Sequence, residues 1–599
     1  MKISDQQMDR SMDGHPLQPE APNAVPLRPA STVMRLARMG SLHQSRLSFM
    51  RVLLRRLKTN GWVFDRPLWR INEKGVGVAT YRASGPERSY TLVAFAHDLP
   101  DDLRSDRVIA EAWDATFTLH DGDLREADID RLGGNVPYQE AGRISEAELS
   151  LSRANRSVRL FDYVATCLAA GTQPDVAQIE PVGYLMRTTA VYGSGKFGAA
   201  DRDVWVERPE FAGSFQPELL SVWLIRTFTI DMVEHMARIR SPETAVRLDP
   251  AIRRRIGVGN STGLGMAPFL INHPALIHSW IHARESAFAR VRAVKQVSQQ
   301  EIGLFTELVQ RALVNAEDWQ VEHAYQAKKI YGLRHDLTTT LHHLSTADMS
   351  SDYVWDRLYR WAEAKLDSEG QEQLISLMLE PYPQLVDDLA AHMAADEAQQ
   401  FCIDGTMKIG TLHDILQDTY DWTADIDYDS RPAQARVWYV SEEKLEPRLG
   451  ERFEEEIADY EQPLAPGRDA KLALADLAAF AADDTVAAFL MAHPEHRHIT
   501  RRAQLVSHYP YGEIRDNTIA AEMLPIDLLR CKLSFFGATK FDPRSDRWLR
   551  ITMFQGAPFP DELASFDPDS LVYPPLSDMP EMPDIPDTPD SEAPDSEAP

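Results

Sequence analysis

The chain reads as an α+β protein: a small antiparallel β-rich N-terminal domain followed by a large, mainly α-helical region with a few strands. Three observations carry that reading. Short runs rich in Val, Tyr, Phe, Thr and Trp crowd into the first 120 residues. From about residue 125 apolar residues recur at helical spacing over long stretches. At 599 residues and 44% hydrophobic, the chain is long enough to bury a sizeable core.

Residues 1–32 are polar with five prolines, and read as a disordered leader. Ser41 to Lys58 places Leu47, Met50, Leu54 and Leu57 on one helical face and Arg46, Arg51, Arg55, Arg56 and Lys58 on the other. The basic face is read as solvated, with a membrane-surface or acidic-partner helix as the alternative. Trp62–Ile71, Gly75–Ser84, Ser89–His97 and Ala110–Leu119 are strand-like runs, the first three separated by turn residues. They form an antiparallel meander in an α+β domain over 33–125.

Helical patterns follow over Ser157–Ala170, Gln216–Arg240, Pro274–Val294, Gln299–Val321, His323–Leu344, Tyr353–Leu366 and Gln371–Met378, broken by a strand over Gly183–Val191. This gives a mainly helical domain over 126–430. A C-terminal α+β region over 431–565 contains a strand near 435–440, an Ala-rich helix over Ala470–Met491 and strands over Lys532–Phe536 and Trp548–Phe554. Residues 566–599 are acidic and proline-rich, and read as a disordered tail that offers a surface to a protein partner.

A net charge of −28 argues against nucleic-acid binding, which needs clustered Lys and Arg. Three scattered cysteines without a CxxC pair give neither a disulfide framework nor a structural zinc site, so a reducing cytoplasm is the expected compartment. No secretory signal and no transmembrane run is evident.

The most unusual stretch is Ile256–Ala283, 28 residues without Asp, Glu, Lys or Arg in a chain that is 26% charged. It follows Arg253, Arg254 and Arg255 and opens with Gly257, Gly259, Gly263 and Gly265. That composition reads as a buried loop in which Asn260, Ser261, Thr262 and the Gly263 backbone hydrogen-bond a buried anion or carbonyl. A second glycine-rich loop, Tyr192–Gly198, carries GxGxxG at Gly193, Gly195 and Gly198. No convincing helix follows it, as a dinucleotide site requires. It fails as a Walker A motif because Ala190 and Phe197 stand where Gly and Ser or Thr are needed. It remains an anion nest or a tight hairpin, with Arg187 and Lys196 adding positive charge.

The charge-free stretch ends on a helix with His278 and His282 at i, i+4. Glu285 at i+7 shares their face, but HExxH is absent because Ser279 stands where its Glu would be, so the pair reads as lining a packed helix interface or as an acid/base candidate rather than as a metal site. Asp231 and His235, also i, i+4, have the spacing of an Asp that orients a catalytic His, and equally that of an ordinary surface pair. Ser152–Arg159 reads as a basic helix start, and His493, His496 and His498 as a solvated basic loop.

The functional expectation is an enzyme binding a small anionic metabolite, a carboxylate or phosphate, between the loops 192–198 and 257–266. Arg187, Lys196 and Arg255 would be the anion partners. His278, His282 or His235 would be the acid/base. Cofactor dependence and reaction stay open. The alternative is a non-catalytic helical scaffold or regulatory protein whose glycines serve packing alone.

Overall fold

The computed structural model describes residues 25–100, 113–135, 145–190, 208–263, 266–317, 319, 321, 323–393, 402–434, 438–441, 447–449, 461–520, 523–543 and 548–571. Twelve strands are described: β1 (Val63–Ile71), β2 (Gly77–Ser84), β3 (Ser89–Ala96), β4 (Ala115–Asp121), β5 (Glu148–Arg156), β6 (Tyr184–Thr188), β7 (Gly257–Gly263), β8 (Trp438–Ser441), β9 (Pro447–Leu449), β10 (Glu461–Leu464), β11 (Lys540–Pro543) and β12 (Trp548–Met553). Nine of them form one half-barrel sheet in the order β1-β2-β3-β4-β5-β6-β7-β12-β11. β8, β9 and β10 form a separate small sheet. Neighbouring strands of the large sheet run antiparallel except β6 and β7, which are parallel.

The expected α+β architecture is present, with the meander β1–β4 preceding a mainly helical region. Period-2 alternation gives the sheet two different faces. One face carries Phe64, Trp69, Tyr81, Phe117, Ser150 and Val258 and packs on the long helix Gln216–Arg240. There Phe64 meets Trp223 edge-on at 4.9 Å, Phe117 meets Phe228 at 5.3 Å, and Ser150 hydrogen-bonds Ser221 at 2.6 Å. The helix takes its central place because its first half is apolar nearly all round, with Leu219, Leu220, Val222, Trp223, Leu224, Ile225 and Phe228 all fully buried. One apolar core runs from Val33 to Phe566, and a smaller helical core spans 409–503.

Several local readings change. Residues 25–32 are engaged rather than disordered: buried Arg28 pairs with Glu285 and Glu372, each at 2.7 Å, and the helix Ala30–Val33 follows. The basic helix, observed at Phe49–Thr59, does not present its arginines to solvent or membrane. Arg51 makes a two-pronged pair with Glu380, and Arg46 just before the helix does the same with Asp387. Burial would be prohibitive for lone guanidinium groups, and these carboxylates offset it. Lys532–Phe536 is a π-helical turn and not a strand, since a five-residue apolar run suits either. Ser152–Arg159 contributes strand β5 in place of a helix start. The Ala-rich helix is two, Pro466–Leu477 and Val486–Ala492.

Candidate functional site

The charge-free stretch opens as strand β7 in the middle of the sheet and not as a loop. β6 flanks it in parallel and β12 antiparallel, with Gly259 opposite Arg187 and Thr552, and Ser261 opposite Arg550. Close packing explains the glycines. A Cβ on Gly257 would lie 2.3 Å from the Met553 carbonyl oxygen, and one on Gly259 would lie 2.5 Å from Arg187 Cγ and 2.7 Å from Tyr184 Cγ. β12 pairs with Val258–Gly263 and β6 with Gly257 and Gly259, so the stretch expected to be a loop is a strand.

The arginines before β7 are also committed. Arg253 pairs with Asp561 and Glu562, each at 3.0 Å, Arg254 with Glu562 at 3.2 Å and Arg255 with Glu180 at 2.6 Å. Arg226, fully buried on the long helix, donates to the carbonyls of Ile256 (2.6 Å), Ala557 (2.7 Å) and Arg254 (3.1 Å) and stacks on Phe559. Burial, with Arg253 and Arg254 nearby, lowers it to about 9, against the pull of Glu562. This junction clamps the 556–566 segment to the sheet. Arg255 stands beside it, its partly exposed side chain paired with Glu180.

The histidines and Asp231 are placed as follows. His278 and His282 are neighbours, with ring centres 5.5 Å apart. His278 Nδ1 accepts the Tyr511 backbone N–H at 3.2 Å, and its ring stacks against Tyr511. Burial, with His282 adding to it, pulls His278 down to about 4, so it is a neutral acceptor holding the 509–511 turn. His282 is lowered by burial and by His392, with Glu285 opposing. Asp231 does not orient His235. It accepts from Tyr81 Oη at 2.7 Å and pairs with Arg66 at 2.8 Å, while His235 Nε2 lies 3.1 Å from the Asn72 carbonyl oxygen. His235 lines a shallow depression of about 390 Å³ with Glu73, Arg238, Ile239 and Pro242.

Of the expected substrate residues, Arg187 and Asn260 sit on adjacent strands but on opposite faces of the sheet. Buried Asn260 donates to the Thr188 carbonyl at 2.9 Å from the face shared with Val258. Ser261, Thr262 and Gly263 form the last half of β7. Gly193, Gly195 and Lys196 lie outside the described residues.

The face that carries Arg187 has the chemistry of a site. It faces away from the long helix, yet Thr80, Thr91, Thr116, Thr118, His120, Asn155 and Arg187 are all buried on it. Alternation sets these polar groups against Ala79, Tyr81, Leu92, Ala115, Phe117, Leu119 and Ala154 on the apolar face. At the end near Arg187, His97 Nε2 meets Thr116 Oγ1 at 3.2 Å, and Asn155 Oδ1 accepts the Asp114 N–H at 3.1 Å. Arg153 on β5 stacks over Trp113 at 4.3 Å. Arg550 shares this face by alternation with Thr552, whose Cγ2 lies 2.6 Å from the Cβ position of Gly257. Asp114 is buried at the same end beside Arg156, its Oδ2 accepting the Arg156 N–H at 2.9 Å. The helix Glu126–Asn135 crosses the face: Arg131 pairs with buried Glu148 at 2.6 Å at the far end, and Gly133 packs against Phe95, the cross-strand partner of Thr116.

Sequence reasoning passed over this belt. The signal was the alternation itself: Thr116, Thr118 and His120 interleave with Ala115, Phe117 and Leu119. It also read His493 and His496 as solvated, whereas His496 is buried against Asp476 at 2.7 Å. The chain matches no protein-family model, no curated protein and no solved structure. Among the described residues no helix is long and apolar enough to cross a membrane.

Proposed function

We propose that the chain binds a small anionic ligand, a carboxylate or phosphate, against the polar face of its sheet at the carboxyl ends of β6 and β7, with Arg187 as the principal charge. The observation that carries the reading is the parallel pairing of β6 with β7. Parallel neighbours end on the same side of a sheet, so the segments leaving Thr188 and Gly263 set out from one edge. The crevice beyond the carboxyl ends of parallel strands, where strand order switches, is a recurrent ligand position in α/β sheets. Arg153, Arg187 and Arg550 come to that end from three strands, and Asp114 lies there beside Arg156. Asn260 faces the other way and takes no part in this reading. The acid/base roles first given to His278, His282, His235 and Asp231 are not carried forward, because each is engaged with a structural neighbour.

The test is a thermal-shift screen of the full chain against phosphorylated and carboxylated metabolites. A binder raises the melting temperature in proportion to the logarithm of its concentration. Failure of every anion to do so would end the reading. It would favour the scaffold alternative, which has its own support: the glycines of β7 serve packing, and Arg253, Arg254 and Arg255 each hold a carboxylate.

A further inference from the structure

The small helical core over 409–503 carries a cluster that the ligand reading does not use. Asp476 ends the helix Pro466–Leu477, His493 follows the helix Val486–Ala492, and Glu495 and His496 form the 3-10 turn Pro494–His496 before the helix Arg497–His508. Three helices thus bring two imidazoles and two carboxylates together, one ligand atom from each lying within 4.8 Å of the others. His496 Nε2 is 2.7 Å from Asp476 Oδ2, His493 Nδ1 is 3.2 Å from Glu495 Oε1, and His493 Nδ1 is 3.7 Å from Asp476 Oδ2. Zinc–ligand bonds of about 2.0–2.2 Å set tetrahedral ligand–ligand edges of about 3.3–3.6 Å, which these three separations bracket.

The imidazoles are also held in place. His496 stacks on Phe489 with ring planes 2° apart, His493 stacks on the same residue at 5.5 Å, and Phe480 abuts His493 edge-on. An aromatic floor that fixes ring orientation is the support a metal site needs. The carboxylates form the open rim, Asp476 and Glu495 being 42% and 61% exposed, so an ion can enter from solvent.

We propose that Asp476, His493, Glu495 and His496 form a binding site for a divalent transition metal of the zinc class, stapling three helices of the small core. Two nitrogen and two oxygen donors suit zinc or cobalt better than calcium or magnesium, which favour all-oxygen shells. Binding needs His496 to hold its proton on Nδ1, freeing Nε2 for the metal in place of its present hydrogen bond to Asp476. His493 coordinates through Nδ1 and keeps its proton on Nε2. The site joins helices that otherwise share only a small core, so metal binding stabilises this region directly.

The experiment uses the full chain stripped of metal and titrated with Co²⁺, then competed with Zn²⁺. The expected result is the intense visible absorption of tetrahedral cobalt, saturating at one equivalent and erased by one equivalent of zinc. His493→Gln and His496→Gln each weaken cobalt binding by roughly tenfold or more, and His498→Gln leaves it unchanged. A weak octahedral spectrum, no saturation at one equivalent, or equal loss in the His498→Gln control overturns the proposal. The wild-type spectrum decides even where a variant folds poorly, which circular dichroism reports.

Discussion

The two faces of the central sheet differ in how much of their buried surface is polar. Beneath the 216–240 helix Phe64 and Phe117 meet Trp223 and Phe228 of the helix edge to face, and Trp69 packs against Phe228 at a tilt. On the other side Thr116, Thr118, His120, Asn155 and Arg187 are equally withdrawn from solvent. Apolar burial is stabilising by itself, at about 25 cal/mol per Å² removed from water. Polar burial is costly unless every group finds a partner. Ligand recognition is the use proposed for the arginine-bearing face.

Three substitutions break this comparison in graded steps. Phe228→Ala removes the ring against which Trp69, Tyr81 and Phe117 pack, and is expected to cost about 3–5 kcal/mol in denaturant unfolding. A cost under about 1 kcal/mol would mean that the apolar face is not the stabilising one. Gly259→Ala forces a methyl group against Arg187 and Tyr184. It is expected to cost about 1–3 kcal/mol and to disturb ligand binding together with stability. Arg255→Ala cuts a partly exposed pair with Glu180 and is expected to cost about 0–1 kcal/mol. Ligand response in that variant should be unchanged, which separates the clamp arginines from the polar face.

A pH series sharpens the contrast by isolating a half-buried polar group outside the sheet. His278 falls from its ordinary 6.5 to about 4 in the folded chain. The unfolded chain therefore binds the proton more readily, and the stabilisation present above pH 6.5 is lost as pH falls toward 4. His278→Gln keeps an acceptor for the Tyr511 N–H and is expected to flatten the stability profile between those limits. A profile as steep as that of the wild type would assign the acid sensitivity to other groups, with buried His43 the next to test.

Much of this architecture was legible in the sequence, and the exceptions have physical causes. The meander β1–β4 could be read because its alternation and its turns agree, and the Gln216–Arg240 helix could be read to the residue. β5 was missed because Ser150, Ser152, Arg153 and Asn155 dilute its alternation with polar residues on both faces. β7 was missed because four glycines signal a loop, whereas here Gly257 and Gly259 are the cost of threading a strand between Tyr184, Arg187 and Met553. The ion pairs that bury Arg28, Arg46 and Arg51 join residues hundreds of positions apart, and no local pattern reveals them. Within the candidate site Arg187 could be singled out from sequence. Its companions Thr116 and Asn155 required the strand register.

The measurement that bears most directly on the anion-binding account is the affinity of the best anion from the screen for the wild type, Arg187→Met and Arg255→Ala. The account predicts that Arg187→Met loses at least about 1.5 kcal/mol of binding, the scale of a hydrogen bond to a charged group, while Arg255→Ala binds as the wild type does. Equal affinities in all three proteins, or a loss confined to Arg255→Ala, would contradict it.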